Sequence, residues 1–430
     1  MKILYFNYMT TSFASILRSL EYGKAIADQG HDVTLCYLNK YFRPPAFYFD
    51  LMDSYRSDNF HIYHAPRPAL PVGNTNVTPV PKAAMGKVVD GRPTLKGLYR
   101  QILGSLRYVP EELKWIDKIR PDVLLVRPDH VLSFMVTSWS RRLPLVLECD
   151  GPVEELDYYW GLDSRWVQPM DTWRARRAQA LLYISEPCRD LWLKKNIPAE
   201  KMFYTPNGAH PDTFKPLEPH ARQALREKYG LVGSKVIGFS GNLRSWHGID
   251  LLIAAALPFM EKDPEVKILF IGSVDDPKFL ASQNVPEQIR KRQFVFTGPL
   301  PYPRMGEHID LADFMVIPYP HNDFFYFSPM KLFEAMCLGK LIVAPRLGQI
   351  EELLGDLASP LLYDAREAGA LAKCLDLALR RVSSAPEGTM LGADARARIE
   401  ASHTWAHRGR MVADACEYAI QQNARQSGRK

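Results

Sequence analysis

Hydrophobic and polar positions near the start of the chain follow the order strand, helix, strand. Residues 3–6 form a short apolar run, residues 15–29 repeat apolar positions with a helical period, and residues 33–37 are apolar again. Glycine and histidine mark the turn before the second apolar run. This order predicts a βαβ unit at the N-terminus.

The same order of segments begins again near residue 235. Strands predicted at 236–239 and 267–271 enclose a helix predicted at 249–260. Further apolar runs without polar alternation, typical of strands buried on both faces of a parallel sheet, lie at residues 123–126, 145–147, 314–317 and 341–343. The pattern therefore predicts two doubly wound α/β domains.

Three other segments concern the organisation of the chain. Residues 206–216, which begin Pro206-Asn207-Gly208, are rich in turn formers and are interpreted as a linker. Residues 66–93 contain so many prolines and glycines that they predict a long exposed loop. Residues 404–422 predict a helix packed on one of the domains, since one helical face carries Val412, Cys416, Ala419 and Ile420.

Composition agrees with a folded chain of two or three domains. Of the 430 residues, 47% are hydrophobic and 24% are charged, and the net charge is +6. That mild positive charge fits anionic ligands or membrane surfaces and does not favour nucleic-acid binding. The six cysteines form no C-x-x-C pair, which predicts buried thiols in a reduced, cytoplasmic protein. No apolar stretch reaches the ~18 residues that a membrane span needs.

The most informative motif predicts a short helix over residues 329–338. Ser328 suits the N-cap, Pro329 suits the first helical position, and Gly339 suits the stop. A helix N-terminus at the carboxyl edge of a parallel sheet is a usual phosphate site. Lys331 and Glu334 share one face of this helix, which places a cation near a phosphate and a carboxylate near ribose hydroxyls. A solvated ion pair between the two is the alternative.

A glycine-bearing loop leaves the first predicted strand of the second domain. Gly241 allows close backbone approach, and Arg244 and His247 are two donors that can reach a diphosphate. An ordinary structural turn is the alternative interpretation. No Asp-x-Asp pair is present to hold a metal, and Asp275-Asp276 is interpreted as a loop pair.

Together these segments resemble the retaining glycosyltransferases of family four, which have the GT-B fold. The resemblance covers most of the chain, through residues 30–33, 121–123, 185–186, 206–208, 241–248, 268–272, 295–298, 312–313, 326–336 and 348–352, and Trp405. It implies two Rossmann-like, doubly wound α/β domains that face each other across a cleft. We expect an acceptor-binding domain over 1–212, with residues 405–430 returning to pack on it, and a nucleotide-sugar-binding domain over 213–404.

The resemblance also implies roles for individual residues. Glu334 matches the ribose-binding glutamate of the E-x7-E motif, and Arg244 and Lys331 are the expected catalytic cations on the diphosphate. Further donor contacts are expected at Ser328, Pro329, Met330, Tyr326, His247, Gly241, Thr297, Leu300, Thr11 and Ser12. Tyr326 stands where the family has its first glutamate, and His247 stands where a lysine is usual. Asp150 and His130 are the catalytic candidates of the first domain, and either could be an ordinary loop residue.

The implied activity is metal-independent, retaining transfer of a hexosyl-type sugar (EC 2.4) without a cofactor. The donor is a nucleotide-diphosphate sugar, with UDP favoured, and the acceptor is a sugar, a lipid-linked molecule or a small molecule. Glycoconjugate, exopolysaccharide or cell-envelope polysaccharide biosynthesis is the expected context. A weakly active or non-catalytic partner subunit and a sugar-nucleotide epimerase are the alternatives.

Peripheral contact with an anionic membrane is a separate expectation. Trp173 is followed by Arg174, Arg176 and Arg177, and the proline-rich loop adds Lys82, Lys87 and Arg92. Basic side chains beside an aromatic one favour anionic lipid, whereas a solvated basic face is the alternative.

Overall fold

The chain forms two compact units in the computed structural model. The residues described are 1–8, 13–38, 46–64, 99, 102–128, 131–160, 163–243, 245–274, 277–355, 357–384 and 392–427. Unit 1 comprises Met1–Pro206 and Trp405–Lys430, and unit 2 comprises Asn207–Thr404. Asn207, the first residue of unit 2, makes two hydrogen bonds to Ser328 of the same unit.

The described part of unit 1 contains a sheet of seven parallel strands in the order β3-β2-β1-β4-β5-β6-β7. Its strands are β1 Lys2–Asn7, β2 Asp32–Tyr37, β3 Phe60–Tyr63, β4 Val123–Arg127, β5 Leu145–Cys149, β6 Ala180–Tyr183 and β7 Met202–Tyr204. The apolar runs predicted at 3–6, 33–37, 123–126 and 145–147 are confirmed as strands. The strand order reverses between β1 and β4, so their carboxyl ends border the crevice where such sheets bind ligands.

Helices cover both faces of this sheet. They are α1 Phe13–Ala27, α2 Ala46–Ser54, α3 Val109–Ile119, α4 Ser133–Arg141, α5 Glu155–Trp160, α6 Gln168–Arg177, α7 Glu186–Lys194 and, from the end of the chain, α17 Trp405–Ser427. Helix α17 packs against α1 and strands β4 to β7. Val412, Cys416 and Ala419 are fully buried in this core, which confirms the predicted apolar face of the last helix.

The described part of unit 2 contains six parallel strands in the order β10-β9-β8-β11-β12-β13. They are β8 Lys235–Ser240, β9 Val266–Ile271, β10 Phe294–Phe296, β11 Phe314–Val316, β12 Leu341–Pro345 and β13 Leu362–Tyr363. The four strands predicted in this half are confirmed. The order reverses between β8 and β11, which places the crevice of this sheet between the loops that follow these two strands.

The helices of unit 2 complete the second α/β layer structure. They are α8 Pro219–Lys228, α9 Ile249–Lys262, α10 Pro277–Ser282, α11 Glu287–Gln293, α12 Met305–Ile309, α13 Met330–Cys337, α14 Gly348–Leu354, α15 Ala370–Ser384 and α16 Ala393–Ser402. Helices α9 and α15 pack on each other and share one apolar core with strands β8, β9 and β12.

Several predicted features lie outside the described residues. They are the loop at 66–93, the donor-contact candidates Thr11 and Ser12, the catalytic candidates His130 and Arg244, and the pair Asp275-Asp276. All six cysteines are free and buried, as predicted. Among the helices of the described residues, none combines the length and apolar character that crossing a bilayer requires.

Candidate functional site

The candidate site lies at the carboxyl edge of the unit 2 sheet. Strands β8, β9 and β10 are neighbours, and the residues that follow them are bonded together. Gly241 N–H donates to the Ile271 carbonyl over 2.9 Å, and Gly272 N–H donates to Thr297 Oγ1 over 3.2 Å. The Thr297 hydroxyl donates to the Gly298 carbonyl over 2.8 Å. The predicted donor contacts Gly241 and Thr297 therefore belong to loops that are hydrogen-bonded to one another.

Glycine is required at two positions of these loops because neighbouring backbone segments approach closely. A β-carbon on Gly272, whose φ is +135°, would lie 2.5 Å from the Gly241 carbonyl oxygen. One on Gly248, whose φ is +71°, would lie 1.7 Å from the Pro318 carbonyl oxygen. Side chains are excluded at both positions, so the loop after β8 lies against both the loop after β9 and the chain that follows β11.

The first turn of helix α13 lies beside these loops, since Lys331 Nζ is 3.2 Å from the position of a β-carbon on Gly241. It begins at Met330 with Pro329 as the N-cap, so the prediction of Ser328 as N-cap and Pro329 as first helical residue was wrong by one position. Ser328 Oγ instead accepts a hydrogen bond from Asn207 N–H over 2.8 Å. At the other end Gly339 has a φ of +62°, which confirms the predicted glycine stop. The first N–H groups of α13 have no partner within the helix.

Lys331 brings its ammonium group from α13 to the glycine loop. A β-carbon on Gly241 would lie 3.2 Å from Lys331 Nζ, and Nζ is 4.4 Å from the centre of the Phe239 ring and 5.4 Å from that of Tyr319. No carboxylate of the described residues lies within 4.0 Å of this nitrogen. Burial lowers the pKa of Lys331 to about 7, although Glu334 opposes the shift. The ammonium group is therefore held among aromatic rings beside the helix N-terminus.

Glu334 lies one helical turn further along α13. Its side chain is only 5% exposed. Burial raises its pKa to about 7, with smaller opposing contributions from Lys331 and from the Tyr302 hydroxyl. The two groups are close enough to influence each other's ionisation, but they form no ion pair within 4.0 Å. The alternative of a solvated Lys331–Glu334 ion pair is therefore wrong, because both groups are largely enclosed and stay apart.

His247 has a fixed orientation at the end of the same loop. Its Nδ1 lies 2.7 Å from the Asn242 carbonyl oxygen. A carbonyl only accepts, so Nδ1 carries the proton. In a neutral ring Nε2 is then an acceptor, and it becomes a donor only in the imidazolium form. His247 suits a sugar hydroxyl when neutral and a phosphate oxygen only when protonated.

The remaining predicted donor contacts have different environments. Tyr326 is 4% exposed and packs its ring 4.6 Å from Phe327 and 5.5 Å from Phe324. Met330 is the first residue of α13, and Leu300 is partly buried in the loop after β10. Phe239 and Tyr319 contact Lys331 but were not predicted, because a buried aromatic residue has the same sequence signal whether it packs or holds a cation.

Asp150, the candidate of unit 1, forms an ion pair with Arg127 at the end of β4. The Asp150 side chain is 13% exposed and that of Arg127 is 4% exposed. Arg127 Nη1 also donates to the Ser15 carbonyl over 2.9 Å. Burial raises the pKa of Asp150, although Arg127 opposes the shift. Asp150 is thus a largely enclosed carboxyl group with a fixed cationic partner.

A second buried ion pair beside it was not predicted. Arg18 Nε donates to Glu148 Oε1 over 2.5 Å, and the Tyr5 hydroxyl donates to the other oxygen of Glu148. Burial alone would raise the pKa of Glu148, but Arg127 and Arg18 outweigh it and the pKa is lowered. The sequence gives no signal for this pair, because an arginine in an amphipathic helix ordinarily faces solvent.

Helix α6 presents part of the expected basic surface. Arg174 is 3% exposed and donates to the Val131 carbonyl over 2.9 Å and to Asp171 over 2.7 Å, so its assignment to that surface was wrong. The α6 surface consists of Arg165, Trp166, Trp173, Arg176 and Arg177. These side chains are exposed, and Trp166 and Trp173 keep 62% and 45% of their areas accessible. The predicted Lys82, Lys87 and Arg92 lie outside the described residues.

The described residues contain no group of three or more His, Cys, Asp or Glu side chains placed to hold a metal ion. Among the described residues of the candidate site, Lys331 places its ammonium group beside Gly241 from the first turn of α13.

Comparison with known protein families gives two matches that follow each other along the chain. Residues 19–213 match the family described as Glycosyltransferase Family 4, and residues 234–381 match the family described as Glycosyl transferases group 1. The second match contains Gly241, Lys331 and Glu334, and the first contains Asp150.

Individual relatives are distant. A D-inositol 3-phosphate glycosyltransferase of Corynebacterium urealyticum is 27% identical over 177 residues, which are 39% of this chain and 40% of the relative. An alpha-D-kanosaminyltransferase of Streptomyces kanamyceticus is 22% identical over 248 residues, which are 54% of this chain and 62% of the relative. The chain therefore spans less than two thirds of the length of these curated relatives.

Solved structures establish the fold over nearly the whole chain. The crystal structure of HepE from Anabaena in complex with UDP-glucose superposes with a TM-score of 0.68 at 16% identity, over 96% of this chain and 98% of HepE. This likeness confirms the predicted GT-B fold class.

Proposed function

We propose that this chain, which belongs to glycosyltransferase family 4, transfers a sugar from a nucleotide-diphosphate sugar to an acceptor with retention of configuration at the anomeric carbon. The observation that carries the proposal is the ammonium group of Lys331. It lies beside Gly241 and the N-terminus of α13, without a carboxylate of the described residues in ion-pairing distance. A bound diphosphate would neutralise the positive charge of this ammonium group.

The diphosphate would bind between the glycine loop and α13. The first N–H groups of the helix and its positive dipole end favour an anion there. Gly241 leaves room for phosphate oxygens because it has no side chain. Arg244, which lies outside the described residues, would add a second cation from the same loop. Glu334, one turn along α13, would accept hydrogen bonds from the ribose hydroxyls.

Catalysis would then be electrostatic. As the bond between the sugar and the diphosphate breaks, negative charge grows on the leaving phosphate, and Lys331 and the helix N-terminus stabilise it. The leaving phosphate would take the proton of the acceptor hydroxyl on the same face of the sugar, so the configuration is retained. We propose that this chemistry is independent of metal ions, because Lys331, protonated when the diphosphate binds, and Arg244 supply the neutralising charge.

UDP is the proposed nucleotide. The support is the overall likeness to HepE, whose structure contains UDP-glucose. The proposed context remains glycoconjugate, exopolysaccharide or cell-envelope polysaccharide biosynthesis, on the family resemblance. The alternatives of a binding subunit and of an epimerase are not favoured by any contact at the site.

A membrane surface is the proposed location of the acceptor. The α6 surface combines two exposed tryptophans with arginines, and the Arg177 guanidinium lies 5.6 Å from the centre of the Trp173 ring. Tryptophan favours the membrane interface, and arginine favours anionic lipid. We propose peripheral contact of a cytoplasmic protein through this surface.

Vesicle sedimentation tests the membrane contact. Phosphatidylglycerol vesicles should sediment the protein several-fold better than phosphatidylcholine vesicles, and the double variant Trp166→Ser, Trp173→Ser should lose most of that difference. Leu251→Ser, which removes an exposed apolar side chain of unit 2, is the control. Equal sedimentation with both lipids contradicts the contact.

The transferase activity is tested with a panel of UDP-, GDP-, ADP- and dTDP-sugars in the presence of a chelator. Release of nucleoside diphosphate should be fastest with a UDP-sugar. Lys331→Ala and Glu334→Ala should each lower it by about 100-fold or more while the protein remains folded. Lys373→Ala, at an exposed lysine of unit 2, is the control and should retain full activity. Full activity in both site variants, or binding of the donor without turnover, would overturn the proposal.

A further inference from the structure

We propose that Asn207 is a positioning residue for the anion-binding end of α13, an inference that rests on the proposed function. Its backbone N–H donates to Ser328 Oγ over 2.8 Å, and its side-chain Nδ2 donates to the Ser328 carbonyl over 2.5 Å. One residue therefore holds both polar acceptors of Ser328. Asn207 touches neither the sugar nor the phosphates in this account and acts through the helix.

These two bonds orient the chain that leads into the helix. Ser328 is 6% exposed, and the next residue, Pro329, is the N-cap and has no N–H of its own. Within the described residues, the Ser328 hydroxyl bonds to Asn207 N–H and makes no bond to an N–H group of α13. The carbonyl and the hydroxyl of Ser328 are both bonded to Asn207. The direction of the first helical N–H groups, those of Met330 and Lys331, is therefore fixed from outside the helix.

Asn207 has a fixed position of its own in unit 2. Two residues further on, Ala209 is fully buried, and its N–H donates to the His403 carbonyl over 3.1 Å. Gly208 between them is buried as well. The turn, which the sequence predicts to be a linker, is therefore hydrogen-bonded on both sides of Gly208, and it can transmit a defined geometry to Ser328.

A purely structural role and a positioning role differ in one measurable quantity. A structural bond stabilises the folded unit and leaves the affinity of the folded protein for phosphate unchanged. A bond that aims the N–H groups of α13 changes the affinity for a phosphate-bearing ligand more than that for the same nucleoside without phosphates. The ratio of UDP affinity to uridine affinity isolates this effect.

The test measures both ligands by calorimetry in the full chain, with uridine determined by displacement of UDP. Asn207→Ala, which removes only the side-chain bond, should lower the ratio about five- to tenfold. Ser328→Ala, which removes the hydroxyl acceptor, should lower the ratio similarly. Ser328→Thr, which keeps a hydroxyl group, should leave the ratio near that of the wild type. Asn59→Ala is the matched control, because Asn59 Nδ2 makes the same kind of bond to the Ala27 carbonyl in unit 1.

The outcomes separate this inference from the proposed function. A lowered ratio in Asn207→Ala and Ser328→Ala, with an unchanged ratio in Asn59→Ala, supports the positioning role. An unchanged ratio in Asn207→Ala, with normal UDP binding by the wild-type protein, overturns this inference alone. Absence of UDP binding by the wild-type protein overturns the proposed UDP-dependent function and this inference with it.

Discussion

Lys331 and Glu334 lie one turn apart on α13, and each has a pKa of about 7 because burial favours its neutral form. Neither group has the other as an ion-pair partner within 4.0 Å. Near neutral pH the site therefore carries little fixed charge before a ligand binds. An anion beside Lys331 favours the charged ammonium form, so binding of a diphosphate is linked to uptake of a proton.

The affinity for UDP should fall as the pH rises above about 7, by up to about tenfold per pH unit. The sign follows from the lowered pKa of Lys331, which must be protonated to bind the diphosphate. The phosphates of UDP are already ionised in this range. Lys331→Arg keeps the charge at every pH and should abolish the fall, as measured by calorimetry between about pH 7 and about pH 8.5. An equal fall in both proteins would contradict the linkage.

Glu334→Gln should weaken UDP binding by about tenfold or more, because the amide replaces a carboxylate that accepts from ribose hydroxyls. The same change should not lower the melting temperature. Because burial raises the pKa of Glu334 from 4.5 to about 7, the wild type should lose stability relative to the variant as the pH rises from about 4.5 to about 7, and the difference should stay constant at higher pH. Thermal shift with and without UDP measures both effects. Glu367→Gln, at an exposed glutamate, is the control.

Gly248→Ala should destabilise unit 2 by about 3 kcal/mol or more, because its β-carbon would overlap the Pro318 carbonyl at 1.7 Å. Gly233→Ala is the matched control. Gly233 also has a positive φ, +75°, but no atom lies within 4 Å of its β-carbon position, so the expected cost is about 1–2 kcal/mol. Denaturant unfolding compares the two variants, and equal costs would show that the close approach contributes nothing.

Glu148→Gln should destabilise unit 1 by about 3 kcal/mol, because it leaves the buried guanidinium of Arg18 without its carboxylate. The pKa of Glu148 lies below its usual 4.5, so the stability it adds is present above that value and is lost as the pH falls through the lowered pKa. The difference in the free energy of unfolding between wild type and variant, the stability gap, should therefore become smaller at acidic pH. Denaturant unfolding at several pH values checks this, with the exposed Glu287→Gln as a control that should show no gap.

The sequence pattern predicted eight of the thirteen strands in the described residues, because strands buried on both faces give uninterrupted apolar runs, and it gave no prediction for β3, β6, β7, β10 and β13. The runs at 3–6 and 236–239 became β1 and β8 for this reason. The predicted end of the helix at Gly339 is also confirmed, because the positive φ there depends on the residue type at that one position. The first helical residue of α13 was missed by one position: Pro329 is the N-cap, and Ser328 accepts a hydrogen bond from Asn207, which is 121 residues away in the sequence.

What could not be predicted depends on partners that are distant in sequence. Arg18 and Glu148 are 130 residues apart, and Asn207 and Ser328 are 121 apart. An arginine in an amphipathic helix ordinarily faces solvent, and Pro-Asn-Gly ordinarily forms a turn. Only the fold reveals that Arg18 is buried in an ion pair and that Asn207 bonds to Ser328, just before the start of α13.

Titration of UDP into the wild-type chain, Lys331→Ala and Glu334→Gln, with a chelator present, tests the central proposal most directly. The proposal predicts saturable binding of one UDP per wild-type chain and at least about tenfold weaker binding by each variant. Equal binding by all three proteins, or no binding of UDP by the wild type, would contradict it.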